Sequence, residues 1–152
     1  MKKTVLLLAL SLSFLACSKS EDTINTNTTL PLTFQNIAGN WNFKSVIRAN
    51  GTVVPYEELG MCPTEKDYIN AFFYGRIDTY NYYRDCVTTF NVGCSQYIYD
   101  SNNTILADSF LFGNATITNL TATGFKLVYP EPRPLGFMVD INDAIAIVFE
   151  RR

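Results

Sequence analysis

Asn42-Phe43-Lys44-Ser45-Val46-Ile47-Arg48-Ala49-Asn50-Gly51-Thr52-Val53-Val54-Pro55-Tyr56 is the stretch whose reading decides the fold. Two runs rich in Val, Ile, Phe and Tyr flank Asn50-Gly51, the dipeptide best suited to the positive φ angles of a tight hairpin turn. Asn42–Ala49 is therefore a first strand, and Thr52–Tyr56 continues it. The same texture repeats on the C-terminal side. Glu57–Lys66 is a loop carrying Cys62, and Asp67–Tyr74 and Arg76–Tyr83 pair around Gly75. Cys94–Tyr99 and Thr104–Ala107 flank Asp100-Ser101-Asn102-Asn103, a turn by composition. Phe110–Leu120 and Phe125–Tyr129 flank Thr121–Gly124, where Gly124 is expected to take positive φ. Pro130–Pro134 reads as a stiff surface connection, and Asp143–Arg151 as a last strand in which Ile145, Ile147 and Phe149 alternate with small or polar neighbours. The expectation is an all-β fold of about eight strands joined by hairpin-length turns, with no convincing helix. A meander of this kind favours an antiparallel up-and-down barrel over a sandwich, because closure removes exposed edges.

The ends of the chain set the context. Lys2 and Lys3 precede an apolar run from Val5 to Ala16 that stops at Cys17. A charged start and a short apolar stretch read as a secretory signal, too short to span about 30 Å of hydrocarbon. Phe14-Leu15-Ala16-Cys17 resembles a bacterial lipobox, with Phe in place of the usual first Leu. The expected organisation is a signal peptide over 1–16, a lipidated Cys17 with a polar tether through residue 36, and a single domain over 37–152. Removing Lys2 and Lys3 takes the net charge from −2 to −4, which disfavours nucleic acid as a partner. The absence of histidine excludes His-based triads and His metal ligands.

With Cys17 acylated, Cys62, Cys86 and Cys94 remain in a compartment where disulfides persist. Spacing leaves all three pairings open. Glu57-Glu58 and Asp140 with Asp143 are paired acids in predicted turns, with no aromatic sugar platform around them, and do not support glycoside hydrolysis. Asp100-Ser101-Asn102 begins like a calcium loop but lacks its central Gly and closing Glu, so no metal site and no cofactor are expected.

Ile37-Ala38-Gly39-Asn40-Trp41 carries a Gly-x-Trp element at the start of the first strand. It resembles the motif that opens lipocalin barrels, where Gly lets the chain turn and Trp plugs the base. An acidic loop with Cys62, then Asp67, Ile69, Ala71, Gly75, Tyr80, Tyr82 and Cys86, follow in the order seen in the lipocalin-like domain of Bacteroidetes-type lipoproteins. The resemblance spans roughly residues 37–151 and implies several things. It implies a Cys62–Cys86 bridge, with Cys94 left as a small buried hydrophobe, and Gly39 and Trp41 at the barrel base. It also implies lipid anchoring in the outer membrane of a Gram-negative bacterium. Ser18-Lys19-Ser20-Glu21-Asp22 resembles the surface-export signal of such lipoproteins and reads equally as an ordinary linker, while Asp22-Thr23-Ile24 fits their O-glycosylation pattern. Arg151 is expected in a solvated tail rather than over the motif Trp. Tyr68, Tyr80, Tyr82 and Tyr97 are the candidate lining of a ligand pocket, against a plainer reading as cross-strand packing. The expected function is that of a non-enzymatic, membrane-anchored binder of a small apolar ligand or an envelope partner. The alternative is a structural or inhibitory surface module with a filled barrel, acting through its loops.

Overall fold

The computed structural model describes residues 28–56, 61–99, 105–108, 112–135 and 141–152. Cys17, the signal and export segments, Asp22-Thr23-Ile24, Glu57-Glu58, Asp140 and Asp100–Asn103 lie outside the described residues. A four-residue helix α1 (Phe34–Ile37) precedes β1 (Gly39–Arg48), β2 (Val53–Pro55), β3 (Tyr68–Ala71), β4 (Arg76–Tyr82), β5 (Thr89–Tyr99), β6 (Ile105–Asp108), β7 (Ala115–Thr118), β8 (Gly124–Arg133) and β9 (Ala144–Arg151).

Every neighbouring pair is antiparallel. Strands β1 and β3 to β9 follow one another in sequence order and curl into a half-barrel wall. The wall comes round on itself where β9 pairs with β1, from Trp41↔Arg151 to Arg48↔Ala144. This is the all-β up-and-down architecture of a lipocalin-like barrel. The Asn50-Gly51 hairpin forms as expected, with Ile47 opposite Val53. Its second strand is an appendage, however. β1 offers one edge to β3 along its first half and to β2 along its second.

Period-two alternation sorts the side chains. Trp41, Phe43, Val46, Ile69, Ile77, Ile117, Leu127, Ile147 and Phe149 face inward and form one buried cluster. Fully burying side chains of this size contributes about 1.5–3 kcal/mol each. Residues 28–36, expected to be tether, belong in part to this unit. Leu30, Leu32 and Phe34 pack against the core, and the Leu30 amide donates to Leu120 O at 2.7 Å. Thr33 caps α1 by accepting from Asn36 N.

Two local expectations are corrected. Pro130 and Pro132 do not end β8, which runs on to Arg133 opposite Ala144. The ladder shifts between Val128 and Arg133, where proline has no N–H to give. Gly124 does not take positive φ, and the left-handed residue nearby is Asn119. Glycine is needed at 124 because a Cβ would stand 2.6 Å from Phe149 O.

Candidate functional site

The barrel base is built on Trp41. Its ring meets Phe125 edge-on at 4.9 Å, Phe125 stacks on Phe149 at 4.8 Å, and Phe149 meets Phe43 at 4.8 Å. The indole Nε1 donates to Ile37 O at 2.7 Å, so α1 hands its last carbonyl to the plug. Arg151 is not in a solvated tail. Its guanidinium carbon lies 3.8 Å from the Trp41 ring centre, and Nη1 donates to Ala38 O at 3.0 Å. Strand pairing places Arg151 directly opposite Trp41, which sequence order alone does not reveal. Gly39, at φ +134°, turns the chain beneath this stack, and a Cβ there would stand 2.2 Å from Arg151 Nη1. Gly39 and Trp41 thus occupy the base, as the motif resemblance implied.

The four tyrosines expected to line a pocket do not converge on one cavity. Tyr68 and Tyr80 are opposite one another across β3 and β4 on the outer wall, stacked at 5.0 Å. Arg152 sits over Tyr68 at 3.9 Å and donates to the Tyr82 hydroxyl at 2.7 Å. Tyr97 alone faces inward, fully buried, edge-on to Phe34 at 4.7 Å, with its hydroxyl donating to Phe72 O. The cross-strand packing reading describes the outer three. The cause is parity. Tyr80 and Tyr82 alternate with inward Thr79 and Asn81, so their rings leave the barrel.

What does face inward on β4 and β5 is polar. Thr79 Oγ1, Asn81 Oδ1 and Ser95 Oγ are buried with no hydrogen-bond partner, and so is the Tyr129 hydroxyl on β8. Thr79 stands opposite Gly93, which brings no side chain into the interior beside it. Burial pushes the Tyr129 phenol above its ordinary pKa, with Arg133 pulling the other way from 5.3 Å over the ring. Leaving a buried hydroxyl or amide oxygen unpaired costs about 1–3 kcal/mol, so each is a place where a water or a ligand group is accepted. Near the same rim Tyr83 packs on Phe90 at 4.5 Å, and Val92 adds apolar surface. The composition is that of a small-molecule site: apolar walls with a few polar atoms. Sequence reading passed over these residues, although the inward period of Ile77, Thr79 and Asn81 carries the signal.

Asp67 holds the neighbouring wall together. Its backbone carbonyl accepts from Phe43 N at 3.0 Å, one carboxylate oxygen accepts from Tyr82 N at 2.6 Å, and the other from the Tyr56 hydroxyl. Tyr56 in turn stacks on Phe43 at 5.1 Å. This knot fills the gap where β1 changes partner from β3 to β2. Burial raises the Asp67 pKa, and the hydrogen bonds from Tyr56 and Tyr82 N oppose the rise. The sign follows. Above about pH 3.9 an unfolded aspartate has lost its proton while folded Asp67 still holds one. Stability therefore falls as pH rises from about 4 through the raised folded value, then levels off. Asp67→Asn should flatten that slope in melting curves taken across the acid range. An unchanged slope would show that Asp67 does not titrate in the fold.

The Cys62–Cys86 disulfide ties the loop between β2 and β3 to the turn between β4 and β5, with Cα atoms 5.3 Å apart. Cys94 is not a buried hydrophobe. It is free and exposed, because β5 alternation turns Ser95 and Tyr97 inward and Cys94 outward, opposite Asp78. Asp143 is engaged by Arg48 at 2.7 Å. No cluster of three or more His, Cys, Asp or Glu able to hold a metal occurs among the described residues. A groove of about 170 Å³ on the outer wall, between Lys44, Lys126, Glu150 and the turn at Asn119, is smaller than ligand pockets of roughly 300 Å³ and above.

No family model, curated protein or solved structure matches this chain.

Proposed function

We propose that this protein is a non-enzymatic, lipid-anchored lipocalin-like barrel of a Gram-negative outer membrane. Its interior binds a small, mainly apolar molecule that carries a few hydrogen-bonding groups. The observation that supports this is the set of buried, unpartnered oxygens of Thr79, Asn81, Ser95 and Tyr129. A barrel packed only for stability has no use for them, since apolar side chains of the same shape would remove the desolvation cost. Anchoring rests on the signal-like start and on Cys17.

Native mass spectrometry of the protein purified from its own host tests this reading. A non-covalent mass should be shed on activation while the acyl groups stay. Thr79→Val with Ser95→Ala should lower the retained ligand at least tenfold. The same change should stabilise the empty barrel by about 1–3 kcal/mol for each orphaned hydroxyl removed. An empty host-purified protein, with variants no more stable than the parent, would favour the filled-barrel module acting through its loops.

A further inference from the structure

The hairpin between β3 and β4 presents Phe72-Phe73-Tyr74-Gly75 at the base of the barrel. Phe73 is 66% exposed and Tyr74 58%, a large apolar surface to leave in water. The tip is held in shape. Gly75 N donates to Phe72 O at 3.0 Å, Phe72 N to Arg76 O at 2.8 Å, and the buried Tyr97 hydroxyl to Phe72 O. The rings order one another, with Phe72 stacked on Tyr74 at 5.2 Å and Phe73 edge-on to Tyr74 at 5.5 Å.

The N-terminal chain leaves from this same end. Phe34 of α1 lies 3.3 Å from where a Gly75 Cβ would be and packs on Tyr97, and Leu30 is bonded to Leu120 in the turn beside it. Cys17 is separated from Leu30 by twelve residues. Even fully extended, that length spans at most about 45 Å. A chain anchored at Cys17 therefore keeps this end of the barrel, rather than the rim at Tyr83 and Phe90, next to the bilayer.

We propose that the Phe73-Tyr74 tip is a membrane-interface contact, docking the barrel base onto the headgroup region of the bilayer that holds the lipid anchor. The inference rests on the anchoring part of the proposed function. Phe supplies an apolar ring, and Tyr a ring with a polar end, the pairing that suits the headgroup boundary. The contact orients the barrel, with its base on the lipid and the polar-lined half of its interior facing away.

The test uses the full acylated protein carrying Phe73→Trp, in phosphatidylethanolamine–phosphatidylglycerol vesicles whose acyl chains are brominated near the headgroup end. The wild-type protein gives the background from buried Trp41. Fluorescence at position 73 should be quenched severalfold more strongly than that background, and Tyr74→Ser in the same protein should weaken the quenching. Co-flotation of the protein with the vesicles is scored separately. A chain that floats with vesicles but keeps an unquenched indole at position 73 overturns the membrane contact and leaves the anchor intact. So does a blue-shifted, unquenched indole, which would place a protein partner or a second copy on the tip. Failure of the parent to float, or unchanged flotation of Cys17→Ser, overturns the anchor and this inference with it.

Discussion

Trp41→Ala should destabilise the protein by about 3–5 kcal/mol, the range for removing a large aromatic from a packed core. The loss extends beyond the ring itself. Trp41 is completely buried, and its removal undercuts the stack that runs through Phe125 to Phe149 and Phe43. Ile37 O also loses the indole donor, and Arg151 loses the face on which its guanidinium lies. Trp41→Phe separates these contributions, because it keeps most of the apolar volume and gives up the N–H. It should cost less than half as much. Gly39→Val should also destabilise, since φ +134° strains any branched residue and the new side chain would displace Arg151 from the indole. Before mutation, Trp41 fluorescence should be blue-shifted and protected from soluble quenchers. Denaturant unfolding of the three variants supplies the measurement. An Ala variant with an unchanged midpoint would mean that the aromatic stack does not hold the base.

Replacing both Cys62 and Cys86 by Ala should cost about 3–4 kcal/mol, from the loop entropy of a crosslink across a sequence separation of 24 residues. For a domain of this size that corresponds to a melting temperature lower by roughly 10–20 °C. The bridge closes over the segment that holds Asp67. Without it, the Tyr56–Asp67 knot depends on burial alone to keep β2 and β3 on the same edge of β1. Cys94→Ser is the control. Its exposed position on the outer wall predicts a change within about 0.5 kcal/mol. Non-reducing peptide mapping should link the Cys62 and Cys86 peptides. Recovery of either cysteine joined to Cys94 would overturn the pairing.

Strand character was legible in the sequence because it is a local property. Asn50-Gly51 admits a tight turn, and Ile145, Ile147 and Phe149 alternate because only one face of β9 meets the core. The Gly39–Trp41 element was legible for a similar reason, since a tight chain entry and its plug lie within three residues. The tyrosines were misread because composition says nothing about parity. One step along β4 separates outward Tyr80 from inward Thr79, and only the pairing of Ile69 with Thr79 fixes which is which. The same limit applied to Cys94, read as buried yet turned outward beside Ser95.

The sequence by itself therefore determined the β class, the turn positions and the motif at the barrel base. Each of these depends on the conformational preference of a few adjacent residues. Tertiary structure alone decided that Arg151 covers Trp41, that Asp67 knots β1 to Tyr56 and Tyr82, and that the unpaired oxygens of Thr79 and Tyr129 both face the interior. Those partners are far apart along the chain and meet only when β9 returns to β1. Their contacts are set by strand register, and register is fixed by the packing of the whole barrel rather than by any one segment.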